Sequence, residues 1–253
     1  MKRQREHAER YGARIAKGLI AGLQKQSGSF IATVESKDSG RQQIRARRVL
    51  LATGAQDIEP NFPELPDAVQ RGLVRYCPIC DGYEARDQKI AIIGHGTHGL
   101  GEAIFIARTY SDDVTLLTLG KRMELDQKQR QRVEEHRIKV VESPIDALEI
   151  RDDRIAALRI DGANMSFDVL YSALGLRFRT GLALALGAQH DDTGALTVDH
   201  HNQTTVPGLY AAGAIVRGLD QIVVAMGHSA VAATHIHNHC ELPTEEEPGG
   251  AEE

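Results

Sequence analysis

KIAIIGHGTHGL, residues 89–100, decides the fold. An apolar run from Ile90 to Ile93 stops at Gly94, and Gly94, Gly96 and Gly99 then give the spacing G-x-G-x-x-G ahead of an apolar-periodic stretch, Leu100 to Tyr110. An unbroken apolar run of this length predicts a buried strand, and the periodicity after it predicts a helix. VTLLTLG, residues 114–120, predicts the next buried strand, so the unit is βαβ. In such a unit the first glycine permits the tight turn. The second lets a pyrophosphate approach the backbone, and the third lets helix and strand pack closely. The helix N-terminus offers unpaired N–H groups and the positive end of its dipole to the phosphates. A glycine-rich turn that only packs is the alternative.

Downstream, where an acidic residue would hold the ribose of NAD, the chain reads Thr118-Leu119-Gly120-Lys121-Arg122, with no carboxylate. Lys121 and Arg122 suit a 2′-phosphate, which favours NADP. A solvated basic turn would look the same.

Upstream lies RYCPICDGYE, residues 75–84, with Cys77 and Cys80 two residues apart before Asp81-Gly82. No second CxxC and no nearby Cys-His pair completes a four-ligand zinc site. The spacing suits a redox dithiol, which needs one activated thiol and a resolving thiol within disulfide reach. Asp81 is the candidate proton donor or acceptor beside it. Two buried, inert thiols are the competing reading.

The bulk numbers leave this open and exclude other classes. A chain of 253 residues suits two ordinary domains, and a net charge of −5 argues against nucleic acid as a partner. No apolar run is long enough to span a bilayer, and MKRQREHAERYGARI reads as an exposed helix without a signal-peptide core. Three cysteines do not make a secreted disulfide scaffold, so a cytoplasmic protein is expected.

Around the βαβ unit, GLIAGLQKQ, SFIATVESK and QIRARRVLLATGA predict a meander with turns at Ser27-Gly28 and Ser39-Gly40, ending in a strand from Arg48 to Thr53. Pro60, Pro63 and Pro66 predict an irregular crossover over 55–68. QKQRQRVEEHR reads as a polar surface helix. KVVES, ALEIRDD, IAALRIDG and FDVLYSALG read as strands with turns at Asp152-Asp153 and Asp161-Gly162. LALALGAQ, ALTVDHH and GLYAAGAI bring strands back, IVVAMGHSAVAATHIHNH is a long helix, and the acidic tail 242–253 reads as disordered. No internal repeat is present.

Taken together, CPxCDG just before a strand-GxGxxG-helix unit, the earlier LLATGA, and VPGLYAAG followed by a small-residue helix resemble the low-molecular-weight thioredoxin reductases. CPICDGYE is similar to their relatives that act on disulfides other than thioredoxin. The resemblance runs from the first helix to about His239. It implies an α/β fold of two Rossmann-like nucleotide-binding domains, with the NADP domain inserted in the FAD domain. The FAD-type domain is then 1–58 with 178–241, and the NAD(P) domain 59–177. It also implies a dimer that passes electrons from NADPH through FAD to the dithiol, and on to a small redox protein or a low-molecular-weight disulfide.

Carried over, Cys77 and Cys80 are the redox pair, Cys80 the one facing the flavin, and Asp81 the acid-base group. Gly94, Gly96, Thr97 and Gly99 hold the dinucleotide. Thr53-Gly54 and Gly213 line the flavin site, with Gln221, Ile222 and the N-terminus of the last helix at the pyrimidine end of the ring.

Two departures stand out. The family opens with its own strand, GxGxxG and helix for the ADP half of FAD, and this sequence begins after that point, so the FAD domain is incomplete. The family's Ala-Gly-Asp is Ala212-Gly213-Ala214 here. Either residue 1 is not the natural start, or the chain is a shortened relative stabilised by pairing. A flavin-free module that binds nucleotide or a partner is therefore the competing function. A third reading is a metal site at His235, His237, His239 and Cys240; His235 and His239 are one turn apart. His136, His200 and His201 are expected at the surface, and Cys240 as a half-exposed free thiol.

Overall fold

The computed structural model describes residues 2–38, 40–151 and 154–241. The chain divides into two compact units, one of residues 1–56 with 178–253, the other of 57–177. The tail 242–253, Ser39 of one expected turn and the Asp152-Asp153 turn lie outside the described residues.

The second unit is built on a five-stranded parallel sheet. Its strands run in the order Val74–Arg75, Val169–Ala173, Ile90–Gly94, Val114–Leu117, Lys139–Val141. The run read as a buried strand is one: every residue from Ile90 to Gly94 is buried. Alternate side chains serve opposite faces, as the pleat requires. Ile90, Ile92, Leu116 and Tyr171 join Leu100, Ala103 and Ile104 of the helix Gly96–Thr109. Ala91, Ile93, Leu117 and Leu170 join Leu148, Ile155, Leu158 and Phe167 of an antiparallel meander, Ile145–Arg151, Arg154–Ile160 and Ala163–Phe167. Each fully buried isoleucine or leucine contributes on the order of 1.5–3 kcal/mol, so this two-sided burial fixes the sheet and the loop at its end.

Several expectations are corrected here. FDVLYSALG is two strands, since the meander ends at Phe167 and the parallel strand starts at Val169; between them Asp168 turns the chain, its Oδ2 accepting from Lys89 N–H at 2.9 Å. Pro66 does not exclude regular structure. It sits in the first turn of the helix Leu65–Gln70, where a missing N–H costs nothing. Gln127–Glu135 is the expected surface helix, with no buried residue and a reciprocal capping box between Asp126 and Gln129.

In the first unit, Leu19–Gln26, Ser29–Ser36 and Gly40–Ala46 form the antiparallel meander. Ser27 and Gly28 close its first hairpin with φ of 47° and 68°, as a two-residue turn of the twisted kind demands. Val49–Leu51 pairs in parallel with Leu209–Ala211. The opening helix is shorter than expected, Lys2–Arg10 with no buried residue, and Leu19 already belongs to a strand. LALALGAQ is not a strand: Gly181–Leu184 is one helical turn that buries Ala183. ALTVDHH makes only isolated bridges, at Leu196 and Val198. The helix Ile222–His239 is present at the expected length, yet Ala232 is its one buried residue. Among the described residues no helix is long and apolar enough to cross a membrane.

Candidate active site

The dithiol segment is shaped by Pro78. Cys77 caps a one-turn helix, Pro78–Asp81, in extended conformation, and the proline supplies the φ that the first helical position needs. One turn brings positions i and i+3 together, so Cys80 N–H reaches Cys77 O at 2.9 Å and the sulfurs are joined as a disulfide. Cys80 is exposed and Cys77 half-buried. The 3₁₀ turn Gly82–Ala85 follows; Ile79, between the two cysteines, and Tyr83, in this turn, are both exposed.

Asp81 is held from two sides. The Tyr171 hydroxyl donates to Asp81 Oδ1 at 2.8 Å. Arg75 Nη1 donates to the Asp81 carbonyl at 3.0 Å and stands 3.8 Å from Oδ1 and 3.3 Å from Glu84 Oε2. Burial, then the hydrogen bond to Asp81, pushes the Tyr171 phenol above the usual tyrosine range.

The glycine loop lies in the same unit, at the C-terminal end of Ile90–Gly94. A Cβ on Gly99 would meet Gly94 C at 2.6 Å, and one on Gly94 would meet Ala173 O at 2.8 Å, so both must be glycine for the helix to seat. Gly96 has φ +63° and open space where a Cβ would stand. Its N–H points to Met123 Sδ at 3.2 Å, a weak acceptor that a phosphate oxygen would outcompete. His95, Gly96, Thr97, Lys121, Arg122 and Glu124 line a cleft of about 310 Å³. These residues fit a pyridine dinucleotide, with the loop for the pyrophosphate and the two cations for a ribose phosphate. Glu124, two residues past the stretch 118–122, brings a carboxylate into the same cleft.

Further along the same helix Glu102 has a buried Oε1 without a hydrogen-bond partner. Burial, then the nearby Asp57 charge, lifts its carboxyl from the ordinary 4.5 to about 7. Tyr76, next to Cys77, donates to Glu59 Oε1 at 2.8 Å, and burial pushes its phenol above the usual range.

In the first unit the carried-over flavin residues gather at the C-terminal ends of the two parallel strands. Ala212 N–H donates to Leu51 O at 2.9 Å, which sets Ala212-Gly213 beside Thr53-Gly54. Gly54 and Gly213 have φ of 69° and 79°, and a Cβ on Gly213 would press on Ala225 at 3.3 Å. Thr53 Oγ1 donates to Arg179 O at 2.8 Å, and both residues line a cavity of about 850 Å³ with Leu23 and Leu182. Gln221 caps the last helix, leaving Ile222 81% exposed. These elements could hold the ring end of a flavin. For its pyrophosphate this unit offers no glycine-rich strand-to-helix loop among the described residues.

Along its length the sequence matches the family described as pyridine nucleotide-disulphide oxidoreductase, over residues 4–229. The chain belongs to this family. It is 26% identical to a thioredoxin reductase of Listeria monocytogenes over 243 residues, covering 92% of this chain and 74% of that protein. It is 25% identical to an alkyl hydroperoxide reductase of Staphylococcus aureus, covering 92% of this chain and 46% of the relative, so the chain spans about half of that relative's length. The fold matches a thioredoxin reductase of Streptococcus pyogenes with a TM-score of 0.83 at 22% identity, covering 95% of this chain and 79% of that one. Within the family, the paired Cys77 and Cys80 fit the CxxC expected of a disulfide oxidoreductase. Tyr171, Arg75, Glu102 and Glu124 are additions that the linear motifs did not mark.

The histidines near the end of the last helix do not converge on a point. His201 stacks on His235 at 4.2 Å and His235 on His239 at 4.1 Å. His235 Nδ1 meets the Tyr210 hydroxyl at 2.7 Å, and His239 Nδ1 lies 2.9 Å from His235 O. Among the described residues no three His, Cys, Asp or Glu groups are placed to hold a metal ion. Cys240 is a half-buried free thiol.

Proposed function

We propose that the chain is an NAD(P)H-dependent disulfide oxidoreductase whose redox centre is Cys77–Cys80, with Asp81 as its acid-base group. The observation that carries this is the Cys77–Cys80 disulfide, with Cys80 exposed and Asp81 next to it in the chain, on the same compact unit as a glycine loop suited to a dinucleotide. In the net reaction, NAD(P)H and a proton reduce one disulfide to two thiols. The protein's disulfide then re-forms as it reduces the substrate, a disulfide in a small redox protein or a low-molecular-weight molecule. FAD, when bound, supplies the two-electron relay between hydride and disulfide. Thr53, Gly54, Gly213, Gln221 and Ile222 would face its ring end. Gly94, Gly96, Thr97 and Gly99 would hold the pyridine nucleotide, with Lys121 and Arg122 at a 2′-phosphate. Exposed Leu219, Val223 and Met226 support a homodimer, since large apolar side chains grouped in this way are normally covered.

A second reading is a flavin-free module that binds nucleotide only. It is favoured by Ala212-Gly213-Ala214, where alanine stands in place of the carboxylate of the family's Ala-Gly-Asp. One experiment separates the two. The oxidised protein is mixed anaerobically with NADPH, with and without added FAD, and thiols are counted. Two new thiols per chain, dependent on FAD and lost in Cys80→Ser, support the enzyme. NADPH binding without new thiols under either condition would establish the module instead.

A further inference from the structure

The carboxylate beside the dithiol is oriented by a residue from the middle of the sheet. Tyr171 lies on the strand Val169–Ala173, between Val74–Arg75 and Ile90–Gly94, and is fully buried. Its face of the sheet is otherwise apolar, formed by Ile90, Ile92, Val114 and Leu116 and packed against Ile106 of the helix Gly96–Thr109. A phenol placed there is costly unless its hydroxyl is bonded. The bond it makes leaves the core and ends on Asp81 Oδ1 at 2.8 Å. The phenol titrates above the usual tyrosine range, so it is a fixed donor at every working pH.

We propose that Tyr171 is the positioning residue for Asp81, occupying Oδ1 so that proton exchange with the dithiol runs through Oδ2 alone. This rests on the reading of Cys77–Cys80 as the redox pair and Asp81 as its acid-base group. In reduction by a small dithiol, the attacking thiolate bonds to one sulfur and the Cys77–Cys80 bond breaks. The departing thiolate takes a proton from Asp81, which is reprotonated from water. The reductant's second thiolate then attacks its own sulfur in the mixed disulfide, that bond breaks, and the second cysteine leaves and takes a proton from water; the dithiol ends as its cyclic disulfide, and two electrons and two protons have moved to the protein. Arg75, 3.8 Å from Oδ1, and Glu84, 3.3 Å from Arg75, are the other charges at the site.

The test uses the whole chain, with dithiothreitol as reductant, and needs no bound nucleotide or flavin. Reduction rates of Cys77–Cys80 are measured across pH for wild type, Tyr171→Phe, Asp81→Asn and the double variant, with far-UV circular dichroism to confirm folding. Asp81→Asn keeps an oxygen that can accept from Tyr171 and loses only the proton, so the comparison survives should the phenylalanine variant fold poorly. The expected result is that Tyr171→Phe slows reduction roughly ten-fold near neutral pH and brings its pH profile toward that of Asp81→Asn, because a carboxyl that is no longer held in place delivers its proton less often. The double variant should be no slower than Asp81→Asn, as expected of residues acting as one unit. A Tyr171→Phe profile identical to wild type, or effects that multiply in the double variant, overturns the positioning role. A wild-type profile in Asp81→Asn removes the acid-base assignment itself, and the inference with it.

Discussion

A methyl group added to Gly82 would stand 2.8 Å from Cδ2 and 2.9 Å from Cζ of Tyr110. The glycine of the Asp-Gly pair after the dithiol is therefore a packing requirement: an aromatic ring from the end of the dinucleotide helix covers it. Tyr110 is itself pinned, edge-on to Phe105 at 5.8 Å and accepting through its carbonyl from Asp87 N–H at 2.9 Å. Gly82→Ala should destabilise the protein by about 1–3 kcal/mol, as overpacking does. Adding Tyr110→Ala should recover part of that loss in denaturant melts. If the two losses simply sum, the contact is not what Gly82 serves.

Glu102 should give the protein an unusual pH dependence. Its carboxyl titrates at about 7 when folded, against an ordinary 4.5. Between those values the folded state holds the proton more than the unfolded chain does, so stability falls as pH rises through this window and levels off above it. Glu102→Gln keeps the shape, removes the charge, and should flatten this slope. The gain above about pH 7 is of order 3 kcal/mol at most. Thermal melts of both proteins across pH measure it, and parallel curves would mean that the buried carboxyl does not carry the effect.

How far the sequence could be read follows from what each element depends on. Ile90–Gly94 and the turns at Ser27-Gly28 and Asp161-Gly162 were legible because they rest on local rules, an unbroken apolar run and pairs of positive φ. LALALGAQ has the alternation of a strand, but Gly181 and Gly187 bracket a short helical turn whose Ala183 is taken into the core. ALTVDHH alternates too, yet finds only single-residue partners, His190 and Val216 for Leu196 and Thr204 for Val198. At the site, the dithiol and the glycine loop were visible as motifs. Tyr171 was not, because its partner is 90 residues away. The available signal was a tyrosine inside an otherwise apolar strand, whose hydroxyl needs a partner. Glu102, alone among small and apolar residues in GLGEAIF, was a similar signal.

The histidine stack should act as a clasp rather than a metal site. With Ala232 the one buried residue of Ile222–His239, the helix is held at its C-terminal end by His235 on Tyr210 and by Arg48 Nη2 donating to His239 O at 2.6 Å. His235→Ala should cost about 1–3 kcal/mol, because the fully buried Tyr210 loses that partner. Zinc should leave the melting temperature unchanged, whereas a resident site would raise it with metal concentration.

Nucleotide preference is expected to turn on Lys121, Arg122 and Glu124, which line the cleft together. Lys121 and Arg122 suit a 2′-phosphate, while Glu124, lining the same cleft, could accept from a free ribose hydroxyl. The two cations outnumber the carboxylate, so NADPH should bind more tightly than NADH. Each exposed cation lost should weaken NADPH by a few-fold and leave NADH nearly unchanged, since charges open to solvent are worth about 1 kcal/mol or less. The double variant Lys121→Ala/Arg122→Ala should therefore bind the two nucleotides about equally, and Glu124→Ala should weaken NADH alone. Calorimetric titration at low and high salt provides the check, because the phosphate contribution must shrink as salt screens it. Equal losses for both nucleotides in the double variant would place these side chains on the shared pyrophosphate instead of the ribose.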